Sequence, residues 1–117
     1  ELRVGSQLPG ELRLTSLHGV VGHRALAGMQ PFVATAPLNL LFVGDMKKMA
    51  VPDKAQQMLM LGADAGLMAQ NVYLECASTG LACVIRASLD PAPLAKLLKL
   101  PAHQQVLLGQ TIGLPAK

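Results

Sequence analysis

The clearest periodicity in the chain runs over residues 54–79. Met58, Leu61, Ala65, Met68, Val72 and Cys76 recur at spacings of three and four, while Gln57, Asp64, Asn71, Glu75 and Ser78 fall on a separate narrow stripe. Positions three and four apart share one face of a helix, so this spacing predicts a single long helix. Apolar side chains cover most of its circumference, and it is therefore expected to be largely buried. Gly80 follows as a natural left-handed terminator. Gly62 and Gly66 each weaken the helix by up to about 1 kcal/mol relative to alanine. Their expected use is to let another helix pack closely.

Shorter patterns surround this helix. Pro37 introduces the apolar run Leu38–Val43, which ends at Gly44-Asp45 and reads as a buried strand. Residues 81–86 form the next strand. Asp90 then caps a helix over 91–100 that has Pro91 at its first position, Leu94, Leu97 and Leu98 inward, and Lys96 and Lys99 outward. Pro101 stops it, and residues 105–112 form a last strand closed by Gly113 and Pro115. Upstream, the apolar-alternating runs 2–4 and 11–14 flank the turn formers Gly5 to Gly10, predicting a hairpin over residues 2–14. A short helix is expected around Arg24–Met29, and a second helical turn from Pro31. Strands alternating with helices argue for a layered α/β or α+β domain.

A chain of 117 residues is enough for one domain. It is 51% hydrophobic, with a mean hydropathy of +0.39, which is apolar for so small a protein. The reason is either a helix-rich core or, as is expected, a surface buried against another subunit or against a missing piece of the same fold. No segment reads as a membrane span, because Asp64, Asn71 and Glu75 interrupt the longest helix. The net charge of +3 comes from scattered lysines and arginines, and the aromatics are only Phe32, Phe42 and Tyr73. That argues against a nucleic-acid surface, which needs a dense basic stripe.

Cys76 and Cys83 form no CxxC and no Cys/His cluster, so no metal site is expected and both read as buried free thiols. They leave the compartment open, with the cytoplasm favoured. Asp64 and Glu75 lie on one helix about 16 Å apart along its axis, too far to act as a catalytic pair. His18, His23 and His103 are separated in loop-like contexts, and no nucleophile–base arrangement can be argued.

Three stretches together resemble the nitroreductase family of flavoproteins. They are Ala36–Asp45, Ala63–Leu74 running into Thr79-Gly80-Leu81-Ala82, and Val106–Pro115. Their order and spacing resemble the second half of the family fold. The resemblance implies an α+β, nitroreductase-like layered sheet with a long central helix, of which residues 1–117 would be the C-terminal half, the N-terminal half being absent. It further implies a homodimer with FMN at the interface. Hydride would come from NAD(P)H and pass to nitroaromatic, quinone or similar small-molecule acceptors.

By that resemblance the flavin-facing segment maps to Ile85, Arg86, Ala87 and Ser88, and Lys117 reads as available toward the phosphate or, more ordinarily, as a solvated terminal lysine. Catalytic residues are not assigned. Relatives often have glycine where Ala87 stands, and Ala82 stands where the family has the second glycine of Gly-Leu-Gly. The family's basic, Ser-containing phosphate motif has no counterpart here and is expected upstream of Glu1. Without it FMN loses much of its charge-assisted grip. Arg86 reads equally as a cation near the flavin or as a surface arginine in a salt bridge, and Ser88 as a flavin contact or a residue leading into the next helix. The alternative for the whole chain is a dimeric scaffold or flavin-binding module without activity.

Overall fold

The computed structural model describes residues 13–16 and 27–117. The elements are β1 (Arg13–Ser16), α1 (Pro31–Thr35), β2 (Leu38–Asp45), α2 (Lys54–Thr79), β3 (Ala82–Arg86), α3 (Pro91–Leu97) and β4 (Gln104–Gly113). A short 3₁₀ turn at Met46–Lys48 follows β2, begun by Asp45, whose carboxylate accepts from the Lys47 N–H at 3.0 Å.

The strands form one sheet in the order β1-β2-β4-β3, and every pairing is antiparallel. β2 and β4 are central, and β2 is buried along nearly its whole length, as its continuous apolar run predicts. Successive side chains of a strand point to opposite faces, and the two faces bury different partners. Leu40, Phe42 and Ile112 pack with Ala65, Met68, Ala69 and Cys76 of α2. Leu41, Val43 and Val106 pack with Ala27, Val33 of α1 and Leu94 of α3. A bulge interrupts the central pair: Phe42 faces Leu108 but Val43 faces Val106. Leu107 is the extra residue, and it packs with Leu108 on the α2 side.

α2 begins where Asp53 accepts from the Gln56 N–H at 2.9 Å. It ends at Gly80, whose φ of 73° is left-handed, and the Leu81 N–H then reaches back to the Cys76 carbonyl at 2.8 Å. The expected seam is present, with Leu61, Ala65, Met68, Ala69 and Cys76 buried. The expectation that most of the helix is covered is not met among the described residues. Leu59, Leu67 and Leu74 stay exposed, and no described residue lies within 4 Å of where a Cβ would stand at Gly62 or Gly66. The reason is geometric: one sheet face covers only one side of a helix.

Other boundaries shift. The expected helix over 91–100 closes at Leu97 because Lys99 turns left-handed, with φ 52°. The Lys99 N–H bonds the Lys96 carbonyl at 3.2 Å and the Leu100 N–H bonds that of Ala95 at 2.9 Å, a Schellman closure with lysine in the glycine position. Lys99→Gly should therefore raise stability by roughly 0.5–1 kcal/mol, read as a higher urea midpoint. Of the short helix expected around Arg24–Met29, Ala27 is 3₁₀-helical and residues 28–30 are not helical, while 24–26 lie outside the described residues. Of the hairpin at 2–14, residues 2–12 also lie outside them, and β1 pairs with β2.

Candidate functional site at the end of the third strand

β3 is an end strand of the described sheet and leads into the turn Ala87-Ser88. Ile85 packs on the α2 side, and its N–H donates to the Tyr73 hydroxyl at 2.8 Å. α2 thus holds the outer side of β3 as well as one face.

Alternation sends Arg86 to the other face, where it is 4% exposed. Its Nε donates to Thr111 Oγ1 at 2.8 Å, its Nη1 to the Ala27 carbonyl at 2.7 Å, and its Nη2 to Asn39 Oδ1 at 3.4 Å. Thr111 donates onward to Asn39 Oδ1 at 2.7 Å, and Asn39 Nδ2 donates to the Val33 carbonyl at 2.9 Å. The network joins β3, β4, β2 and α1. Gly28 and Gly109 leave the room the guanidinium occupies. Burial lowers the Arg86 pKa, yet a guanidinium stays charged in proteins. All its acceptors are neutral, and no carboxylate pairs with it among the described residues. The surface salt-bridge reading is thereby corrected: Arg86 is a core cation.

The turn itself is held by its carbonyls. Ala87 O accepts from the Leu89 N–H at 2.9 Å, and Ser88 O from the Met29 N–H at 3.1 Å. Ala87 is exposed and Ser88 half-buried. Asp90 then starts α3 by accepting from the Ala92 N–H at 3.2 Å.

Ile85, Arg86, Ala87 and Ser88 are therefore contiguous at one end of β3. Lys117 is not with them. Because β4 runs antiparallel to β3, its last residue pairs with Ala82, and the exposed Lys117 follows beyond that end. At about 3.3 Å per residue the two ends of β3 are roughly 13 Å apart.

Two concavities border the sheet. One of about 430 Å³ lies between α1 and the β3–β4 end, with Phe32, Pro37, Val84, Thr111 and Leu114 among its walls. Another of about 360 Å³ lies between α2 and β2, with Phe42, Met68, Asn71, Glu75 and Cys76 among its walls. Sequence reasoning missed Asn39, Thr111 and Tyr73. The available signal was Asn39, the one polar residue in the run Leu38–Val43.

Both cysteines are free. Burial, then the hydrogen bond and charge of Cys83, push the Cys76 thiol up from its ordinary 9.0 to about 11. The folded chain holds this proton more tightly than the unfolded one. The resulting stability is fully present below pH 9.0 and is lost as pH rises toward about 11. Urea unfolding should show a decline of roughly 1–3 kcal/mol across that window, and Cys76→Ala should flatten the slope. Among the described residues no group of three or more His, Cys, Asp or Glu could hold a metal, and no helix is long and apolar enough to cross a membrane.

An antiparallel sheet flanked by one long helix agrees with the layered α+β fold that the sequence resemblance implies. The nitroreductase family profile matches residues 6–114, and the chain belongs to the nitroreductase family. It is 36% identical over 97 residues to an NADPH-flavin oxidoreductase of Vibrio harveyi, covering 76% of this chain and 40% of that protein. It is 31% identical over 105 residues to an FMN reductase [NAD(P)H] of Bacillus subtilis strain 168, covering 78% of this chain and 42% of that protein. The crystal structure of the NADPH:FMN oxidoreductase from Vibrio harveyi complexed with NAD+ superposes with a TM-score of 0.78 at 30% identity, over 91% of this chain and 51% of that one. The chain spans about two fifths of the length of the curated relatives it matches.

Proposed function

We propose that this chain is the C-terminal half of an FMN-dependent oxidoreductase. It would take hydride from NAD(P)H and reduce nitroaromatic, quinone or similar acceptors. Family membership, with curated relatives named as flavin reductases, carries the reading.

The residues of this chain fit the ring of such a cofactor better than its phosphate. Ala87 is exposed on a turn whose carbonyls are already tied down, so its backbone can meet a flat ring without rearranging. The guanidinium of Arg86 supports the turn from inside rather than through direct contact, and Ile85 anchors the strand leading to it. Lys117, at the opposite end of β3, suits a ligand that carries its ring at one end and its phosphate at the other. One lysine is a thin grip on a phosphate, which leaves most of it to residues upstream of those described. When bound, FMN supplies the hydride chemistry, and the chain's part is to hold and orient it. The open flank of α2, with Leu59, Leu67 and Leu74 exposed and Gly62 and Gly66 uncovered, supports a homodimer.

The test is titration with FMN, followed by quenching of flavin fluorescence, on the protein carrying this chain together with its upstream segment. Ala87→Glu puts an anion at the exposed turn. Binding should weaken at least about tenfold with the far-ultraviolet dichroism unchanged. A protein that stays colourless with added FMN favours the dimeric scaffold without activity. An unchanged Kd in the variant places the ring elsewhere.

A further inference from the structure

We infer that the cavity of about 430 Å³ between α1 and the β3–β4 end is a binding site for a monocarboxylate with an apolar body. The inference does not rest on the flavin reading. That reading sets the ring at Ala87, whereas the cavity lies along Ala82, Cys83 and Val84 of β3. The apolar body has its contacts in Phe32 of α1, Pro37, Val84 and Leu114, of which Phe32, Val84 and Leu114 are exposed. A concavity of this size, with apolar walls and few polar groups, suits a small organic ligand.

Charge decides the class of that ligand. Side chains two apart on a strand share a face, so Val84 lies beside Arg86 on the α1 side, and Thr111 stands directly across from Val84. Thr111 is 6% exposed and accepts from Arg86 Nε at 2.8 Å. The guanidinium therefore sits one hydrogen bond behind the cavity wall. All its acceptors are neutral, and no acidic side chain lines the cavity. A buried cation without a countercharge acts strongly through low-dielectric surroundings, and a cleft focuses its field. An anion entering the cavity meets a positive potential, and a cation is repelled. The concavity between α2 and β2 is the reverse, with Glu75 and no Lys or Arg among its walls.

Thr111 supplies the direct contact. Its hydroxyl donates to Asn39 Oδ1 at 2.7 Å, and a hydroxyl hydrogen rotates to suit its acceptor. Turned to a carboxylate oxygen, it leaves Asn39 Oδ1 with the Arg86 Nη2 donor at 3.4 Å, so no buried acceptor is stranded. The Thr111 oxygen already accepts from a cation, which polarises the O–H and strengthens it as a donor.

The test is calorimetric titration of the protein carrying this chain together with its upstream segment. The probes are 4-phenylbutyrate and its neutral amide. The acid should bind at least about tenfold more tightly than the amide, with or without saturating FMN. A protein that takes no FMN is titrated as it stands, so failure of the flavin reading leaves this measurement intact. Val84→Glu should weaken binding of the acid by at least about tenfold. Val84→Lys, of similar size, should keep or tighten it, both variants showing unchanged far-ultraviolet dichroism. Equal affinity for acid and amide, or no heat with either, would overturn the inference. So would displacement of the acid by FMN, which gives the cavity to the flavin. Equal losses in the two variants would overturn it as well, because shape and not charge would then set binding.

Discussion

Arg86→Met is expected to destabilise the fold by roughly 2–4 kcal/mol, measured as a lower urea midpoint with an unchanged slope. Two effects oppose each other. Removing a buried cation that no carboxylate balances relieves a desolvation penalty. Against this, three hydrogen bonds from a charged donor are lost, each worth about 1.5–3 kcal/mol. The Ala27 carbonyl loses its guanidinium donor inside the protein. Thr111 and Asn39 keep their mutual bond, which softens the loss, but the sum still favours the arginine. Arg86→Lys separates the two effects. It keeps the charge and cannot reproduce the fork that serves Thr111, Ala27 and Asn39 at once. Lysine should therefore be at least as damaging as methionine. A methionine variant within about 0.5 kcal/mol of the wild type would show that the desolvation penalty cancels the network.

Gly28→Ala should cost about 2–3 kcal/mol for a linked reason. A Cβ at position 28 would overlap Nη1 of Arg86 and come within 3.0 Å of Val33 Cγ2. The end of a free arginine would simply swing away. This one is held by three acceptors in a buried slot. Because the two positions share one volume, their effects should not add. In the Arg86→Met background the alanine penalty should shrink by at least about 1 kcal/mol. Strict additivity would mean that the Val33 contact, and not the guanidinium, sets the cost.

Most elements were legible because their signals are local. Gly80 and Asp90 mark ends that the chain chemistry dictates, and the period of Leu61, Ala65, Met68 and Cys76 marks the buried seam of α2. The early end of α3 was not legible, since nothing in Lys99 announces a left-handed backbone. What was legible around Ile85–Ser88 was the end of a strand, and not the arrangement about it. The stretch Ile85–Ser88 does end β3, but the role of Arg86 depends on Ala27, Asn39 and Thr111, which lie on other elements. Long-range polar pairing leaves no periodic trace. A lone Asn39 in an apolar strand is the faint sign that some buried partner must exist.

The strand order also dictates a sequence of assembly. β4 is made last among the described elements, yet it lies between β2 and β3, and its partners include residues as distant as Leu38. α2 and its turn into β3 rest on local contacts and can form early. The sheet cannot close until β4 has left the ribosome, and until then β2 and the seam of α2 present bare apolar surface. The interval between finishing α3 and docking β4 is accordingly when the nascent chain is most prone to aggregate and most dependent on a chaperone.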